Sequence, residues 1–334
     1  QKTFILNTVL GISLEQRMEL PADVVVLGIF VADTTYQADR LPHMGETLIG
    51  SSFHLSPGGK GSNQAVASAR SLAKTHIITK LGDDNFSEMA LNLWKNSGVI
   101  SEAMKVTGKS TGAAFVFLSE KTGDNAIIVS PGEAVGEICS EFIQTKKEII
   151  QNSKVLITQL EQPLEAAVLA LKIARSSGVI TILNPAPAMS LPAEIFTLCD
   201  YITPNEVEAE QLSGIRVDSI ESAKLAAEKF CQMGVKNSII TLGEQGAYFH
   251  NFKVSVHIPA YKAGKTKETT GAGDAFNGAF AAALARGESG LVAANVGCAA
   301  AAISVTRQGT SDSMPLLSEV ELLLKHTLVK ENEQ

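Results

Sequence analysis

Aromatic residues are scarce in this sequence. They make up 5% of 334 residues, with a single tryptophan, although hydrophobic residues as a whole reach 45%. A core of that composition is built from Ala, Val, Ile and Leu, which suits a buried parallel sheet with helices on both faces. Cysteine is equally sparse: Cys139, Cys199, Cys231 and Cys298 lie far apart with no C-x-x-C spacing. That excludes a disulfide framework and a clustered zinc site, and is what free thiols in a reducing cytoplasm look like. The six histidines are scattered without metal-ligand spacing. There is no basic run, and the formal net charge is −7. Phosphate backbones are held by clustered cations, so nucleic acid is excluded as a main partner. No apolar run is long and clean enough to cross a bilayer, so no membrane partner is expected. The nearest, Leu291 to Val305, is short, contains Asn295 and reads as a closely packed buried helix. Residues 1–22 lack the pattern of a signal peptide and are expected to form an extension before the first core strand.

What the sequence does contain is a change of rhythm. The apolar run from Val24 to Val31 predicts a buried strand. Alternating, partly polar segments follow at 34–38 and 47–55, and again at 113–119 and 125–129 around a turn at Lys121–Asp124. Both pairs predict antiparallel strands with one wet face. Between them a helix is expected over about 62–72. From 137 onward helix and strand alternate, with helices at 137–150, 163–177 and 219–233, another opening at Asn205, and strands at 154–158, 179–183, 200–203 and 236–242. The tail reads as helices over 273–286, 289–306 and 315–329. Alternation of this kind implies a right-handed, doubly wound parallel sheet in a single domain over 23–334. The two early pairs, near 34–57 and 113–129, do not fit it and predict a small separate lid.

Two glycine clusters carry chemistry. Thr269-Thr270-Gly271-Ala272-Gly273-Asp274 sits where a loop becomes a helix. Small residues there let backbone N–H groups of Gly271, Ala272 and Gly273 turn towards one point, and the helix dipole adds positive potential. Phosphoryl transfer needs such a cradle, with a carboxylate beside it to take a proton from the attacking hydroxyl. Taken alone, the motif is equally a Gly-rich turn with a capping Asp. Gly58-Gly59-Lys60-Gly61-Ser62-Asn63 is a second cluster at a helix start, suited to a polyhydroxylated ligand or to a plain capped turn. It is not a P-loop, because Lys60 is followed by Gly61. Gly108-Lys109-Ser110 ends like one but has Ala103 at the first glycine position, and Gly28 is followed by no dinucleotide fingerprint.

From Val24 to Leu324 the chain resembles the ribokinases of the PfkB-type carbohydrate kinase family. The resemblance is carried by Gly58–Ala65 and Thr270–Gly278. Between and after them lie Gln159-Leu160-Glu161, Asn184–Ala188, Thr203–Glu208, Ile240–Gly243 and Val305-Thr306-Arg307, in the family's order. It implies a ribokinase-like three-layer α/β/α doubly wound fold with a small antiparallel β lid. It also implies ATP-dependent phosphorylation of the 5-hydroxyl of a pentose, D-ribose first, with Asp274 as catalytic base. By this resemblance Asp33, Gly59, Lys60, Asn63 and Glu161 contact the sugar. Asn205, Thr241, Gly243, Gly246 and Gly273 bind the nucleotide, with Cys298 at the adenine. Glu208 helps organise Mg²⁺ through water. Glu268, Thr270, Ser304, Arg307, Gly309 and Ser313 surround an activating K⁺, several through carbonyls. Lids in this family often pair, so a homodimer is expected.

Two departures qualify the substrate and the cation. Where ribokinases commonly carry Asn-x-Asp, this chain has Val31-Ala32-Asp33, which removes an amide contact and keeps 2-deoxyribose as the alternative sugar. Glu268 replaces the usual Asp at the cation site. A reading from a different class, a sugar-responsive regulator without turnover, is motivated by residues 1–22 and opposed by Asp274 and both glycine clusters.

Overall fold

The computed structural model describes residues 22–122 and 124–332. The expected extension, apart from Ala22, lies outside the described residues, as does Gly123 of the expected turn.

Strand β1 (Val24–Leu27) is buried throughout but stops short of the full apolar run. At Gly28 the backbone passes so close to the helix Lys60–Arg70 that an added Cβ would lie 2.7 Å from the Gly61 Cα. The chain leaves the main sheet there and resumes as β2 (Val31–Ala38), which pairs antiparallel with β3 (Ser52–Gly58). After that helix come β4 (Thr75–Ile78), β5 (Lys80–Gly82), the helix Asn85–Ser97, β6 (Ile100–Ser101), β7 (Met104–Val106), β8 (Gly112–Ser119) and β9 (Asn125–Ser130). The second half supplies β10 (Val155–Thr158), β11 (Ile180–Leu183), β12 (Tyr201–Ile202), β13 (Asn237–Thr241), β14 (Ala247–His250) and β15 (Ser255–Ile258).

The main sheet has the order β15-β14-β13-β12-β11-β10-β1-β4-β6. It is parallel from β13 to β6, and β14 and β15 extend it as an antiparallel hairpin edge that the helix–strand rhythm does not announce. Successive side chains of a strand face opposite sides. Val24 and Val26 therefore join the core that holds Phe30, Trp94, Phe276 and Phe280, while Val25 and Leu27 join the one with Phe142, Phe196 and Phe230. Three layers follow from that alternation.

The lid is β3-β2-β8-β9. Its two hairpins form as expected, but they meet through a parallel β2–β8 pair, Val31 opposite Gly112. The lid is thus mixed rather than antiparallel, because its halves come from segments separated by two helices. The expected helix at 137–150 is two short ones, Ser140–Thr145 and Lys147–Gln151. The helix Asn85–Ser97 had a legible start in Asp84, which accepts from Ser87 N at 2.9 Å, and a legible stop in Gly98 with φ 77°. Among the described residues, no helix is long and apolar enough to cross a membrane. All four cysteines are free; Cys199, Cys231 and Cys298 are buried.

Candidate active site

The parallel strands end at one edge, and there the two glycine clusters meet. In open α/β sheets that edge is where ligands bind. Gly59 has φ 87°, and a Cβ on it would lie 2.7 Å from the Ile29 carbonyl, so only glycine lets the Lys60–Arg70 helix start this close to the end of β1. Gly271, with φ 84°, caps the buried helix Ala272–Ala285, whose first turn carries Asp274. Gly273 is exposed beside it, with nothing beyond its own helix turn within 4 Å of a Cβ position. First-turn N–H groups have no intrahelical acceptor, so this end of the helix is a cradle for negative charge, although the Ala272 N–H expected in it donates to the Thr269 carbonyl at 3.2 Å.

The Asp274 carboxylate is buried and held at both oxygens: Asn63 Nδ2 donates to Oδ2 at 2.9 Å and Gln64 Nε2 to Oδ1 at 3.0 Å. Burial raises its pKa, and the nearby Lys60 charge and these two amides pull it back. Glu161, just past β10, accepts from the Lys60 N–H at 2.9 Å. Part of Glu161 stays accessible, but loss of water around the rest pushes its pKa up to about 7, against Lys60 and with help from Asp274 and Asp33. Asp33 on β2 is raised to about 6, by burial first and then by Asp274 and Glu268. For Lys60 burial works the other way, yet the field of Asp274, Glu161 and Glu208 carries its pKa above the ordinary lysine value. Asp33, Lys60, Asn63, Glu161 and Asp274 thus form one cluster. The Asn63 side chain is committed within it, because Ser311 Oγ donates to its Oδ1 at 2.6 Å while its NH₂ serves Asp274. Its contribution is to orient the carboxylate as well as to line the cleft.

A stability consequence follows, with its sign set by the raised pKa. Between about pH 4.5 and 7 folded Glu161 keeps a proton that the unfolded chain has lost. The folded state then binds more protons, and stability falls as pH rises through that window. Glu161→Gln is neutral in both states and its oxygen can still accept from Lys60 N–H. Thermal melts at pH 8 are expected to show it more stable than the parent by about 2 kcal/mol, with the gap closing towards pH 4. A gap independent of pH would show that Glu161 is not desolvated.

On the nucleotide side, Asn205 and Glu208 form a capping box at the helix Glu206–Ser213. Glu208 N donates to Asn205 Oδ1 at 2.8 Å, and Asn205 N to Glu208 Oε2 at 2.9 Å. Glu208 is itself raised by burial. Thr241 ends β13 with its N–H on the Pro204 carbonyl at 3.0 Å. Gly243 and Gly246, φ 52° and 95°, bracket the tight turn that follows. Cys298 lies buried on the Gly290–Ser304 helix, where burial lifts its thiol to about 12, so it is a packing atom rather than a nucleophile. Thr203 Oγ1 donates to Asn277 Oδ1 at 2.7 Å and Asn277 Nδ2 to the Gly273 carbonyl at 2.9 Å, tying the Asn205 loop to the cradle.

The expected cation residues fall on two touching segments: Glu268 accepts from Gly309 N at 2.8 Å. Thr310 Oγ1 donates to the Pro57 carbonyl at 2.8 Å and joins this loop to the lid. The Arg307 guanidinium is turned to Glu319 at 2.6 Å, and the hydroxyls of Ser304 and Ser313 donate to the carbonyls of Ala301 and Thr310. Arg307 therefore offers a cation its main-chain carbonyl alone. Among the described residues, no three His, Cys, Asp or Glu side chains are placed to hold a metal.

Sequence reasoning left four participants unassigned: Gln64, Gln159, Asn184 and Ser311, all buried around Asp274. Each lay in or near a quoted motif, but nothing local distinguishes a buried amide from a solvated one.

Residues 21–317 match the pfkB family carbohydrate kinase. The chain is 40% identical over 300 residues to the ribokinase of Staphylococcus aureus, covering 89% of this chain and 98% of that one. It is 32% identical over 299 residues to the deoxyribokinase of Salmonella typhi, with 89% and 97% covered. Among solved structures it resembles the Arabidopsis thaliana ribokinase complexed with ribose and ATP, at TM-score 0.86 and 30% identity, covering 92% of this chain and 99% of that one.

Proposed function

The chain belongs to the pfkB family of carbohydrate kinases and is a sugar kinase of the ribokinase type, and we propose that it transfers the γ-phosphoryl group of ATP to the 5-hydroxyl of D-ribose. One observation carries this reading: a buried carboxylate, Asp274, shares a helix start with an amide cradle and faces Lys60, Glu161 and Asp33. Sugar hydroxyls are both donors and acceptors, and that cluster supplies both, with Gly59 letting the backbone approach. Asp274 takes the proton of the 5-hydroxyl as its oxygen bonds to the γ-phosphorus and the bond to ADP breaks. The Gly271 and Gly273 N–H groups, joined by that of Ala272 if it leaves the Thr269 carbonyl, meet the charge that develops on the transferred group. The nucleotide lies along Asn205, Thr241, Gly243, Gly246 and Gly273, with its base near Cys298.

Magnesium on the ATP phosphates would neutralise their charge. Glu208, the carboxylate available nearby, fits a water-mediated role because its oxygens already accept from Asn205. The Glu268 carboxylate and the carbonyls of Thr270, Ser304, Arg307 and Gly309, with Ser313, form an all-oxygen set that suits K⁺, which would stiffen the loop before Gly271. Steady-state turnover in a coupled ADP assay tests the reading, with ribose, 2-deoxyribose, fructose and adenosine as acceptors and Mg²⁺ or K⁺ omitted in turn. ADP release that no sugar stimulates would sink it and favour the regulator. Val31, buried two residues before Asp33 where ribokinases commonly carry an amide, keeps 2-deoxyribose as the second substrate.

One lid face exposes Phe53 at 57% and Ile128 at 70%, together with Tyr36 and Leu55. A contiguous apolar face of this kind is a protein-contact surface. We propose a second copy of the chain as its occupant, in the reducing cytoplasm that the four free thiols suit. Sedimentation as a 35.3 kDa species alone would exclude the dimer.

A further inference from the structure

Both oxygens of Asp274 accept from amides, but the two amides differ in what holds them. Asn63 is backed by the Ser311 hydroxyl, 2.6 Å from its Oδ1. A hydroxyl rotates to donate or accept, so that arm tolerates either orientation of the amide. Gln64 is different. Its Nε2 donates at 3.0 Å both to Asp274 Oδ1 and to Asn184 Oδ1, using both hydrogens, and its Oε1 accepts from Gln159 Nε2 at 2.6 Å. Asn184 is fixed in turn, because its Nδ2 donates to the Thr203 carbonyl at 3.0 Å, and a carbonyl only accepts.

The Gln159 end gives a second, independent sign of this polarity. Its Oε1 is buried without a hydrogen-bond partner, pressed against Gly28 where no side chain fits. Leaving an acceptor orphaned costs about 1–3 kcal/mol. Flipping the Gln159 amide would cost more, since it would set two oxygens face to face and strand two N–H groups at Gly28. The arm from Gln159 through Gln64 therefore runs one way, each donor directed towards the carboxylate, while a second arm runs from Gln64 through Asn184 to the Thr203 carbonyl.

We propose that Gln64, oriented by Gln159 and Asn184, is the positioning residue of the catalytic base: it presents its NH₂ to Asp274 in a single orientation and so fixes the edge of the carboxylate turned to the sugar. The proposal rests on Asp274 being the base. Gln64 touches neither reactant; it acts through the carboxylate. The charged groups that face Asp274 are Lys60 from the same helix as Gln64, Asp33 from the lid, Glu161 beyond β10 and Glu208 from the neighbouring helix. None of them is altered by changing Gln64.

Two near-isosteric variants separate positioning from packing. Gln64→Leu keeps the volume and removes the donor. Its kcat is expected to fall about 30- to 100-fold, at or below the low end of general-base contributions because the base itself is kept, with the sugar KM changed less than about threefold. Losing a donor to the ionised form raises the Asp274 pKa, so the acid limb of the kcat profile moves to higher pH. Gln64→Glu has the same shape but donates only while protonated. It is expected to keep activity at the acid end and to lose it as pH rises, because the introduced carboxylate then ionises and faces Asp274. Wild-type kcat and acid limb in Gln64→Leu, or identical pH profiles for the two variants, would overturn the proposal. A second readout does not depend on turnover: the Asp274 carboxyl resonance, labelled with ¹³C and assigned by its absence in Asp274→Asn. Its titration midpoint must rise in Gln64→Leu, and an unmoved midpoint would overturn the proposal. Should the parent protein show no sugar-stimulated turnover, the kinase reading fails, while the midpoint still decides the role of Gln64.

Discussion

Asp274→Asn is expected to lower kcat by about 10³- to 10⁴-fold while leaving sugar binding within about tenfold of the parent, the loss that removal of a general base produces. The reason to expect a clean result lies in the hydrogen bonds. Asn at this position keeps one acceptor and gains an NH₂, so one of its two amide neighbours must turn round. Gln64 cannot, because Gln159 and Asn184 hold it. Asn63 can, because Ser311 Oγ rotates to match. The fold is retained, and one buried negative charge is removed from a cluster that already contains Asp33 and Glu161. Thermal stability at neutral pH is therefore expected to hold or rise while turnover collapses. Isothermal titration with ribose, a melt, and coupled turnover on the same preparation check all three. A variant that keeps a rate within about tenfold of the parent would remove Asp274 from its role. It would point instead to Glu161, whose raised pKa also suits a base near neutral pH.

The parts of this site that sequence reasoning located are those whose chemistry is local. Gly59 and Gly271 both take a positive φ that favours glycine, and each starts a helix whose first turn carries a charged residue of the site. Asn205 closes the capping box that its N-x-x-E spacing announces. Asp33 and Glu161 were assigned through resemblance, since an isolated Asp after a strand or Glu after a Gln-Leu pair has no intrinsic signature. The amides that hold Asp274 were out of reach for a different reason. Residues 64, 159 and 184 lie on three separate segments, and only the β1–β10–β11 pairing brings those segments side by side. The break after Leu27 was hidden too. Gly28-Ile29-Phe30 continues an apolar run, and what ends the strand is the approach of Gly61, a contact 33 residues away in the chain. The lid shows the same limit. Each hairpin was legible from its alternation and turn, while the parallel seam between Val31 and Gly112 depends on how the helices between them pack.

Lys60→Met is expected to lower kcat/KM about 10³-fold, and higher sugar concentration is not expected to restore kcat. Among the described residues, Lys60 is the cation whose field lowers the pKa values of Asp274 and Glu161, and it acts on Glu208 as well. Removing it strikes twice. Charge that develops beside Asp274 loses the field of a nearby cation, an electrostatic contribution typically worth about 3–4 kcal/mol in mutational tests. The carboxylates also lose the charge that keeps them ionised, so burial dominates and their pKa values climb further. At neutral pH a larger fraction of Asp274 is then protonated and cannot act as base. This second effect can be read separately, because it weakens as pH rises: the deficit in kcat should be larger on the acid side than on the alkaline side, where the electrostatic part is left. Lys60→Arg restores the charge but not the compact ammonium, whose geometry a planar fork does not reproduce. Its rescue is expected to be incomplete, and to restore the pH profile better than the rate. A Lys60→Met enzyme with a pH-independent deficit below about tenfold would mean that Lys60 serves only as a counterion, with the cleft field set by backbone dipoles instead.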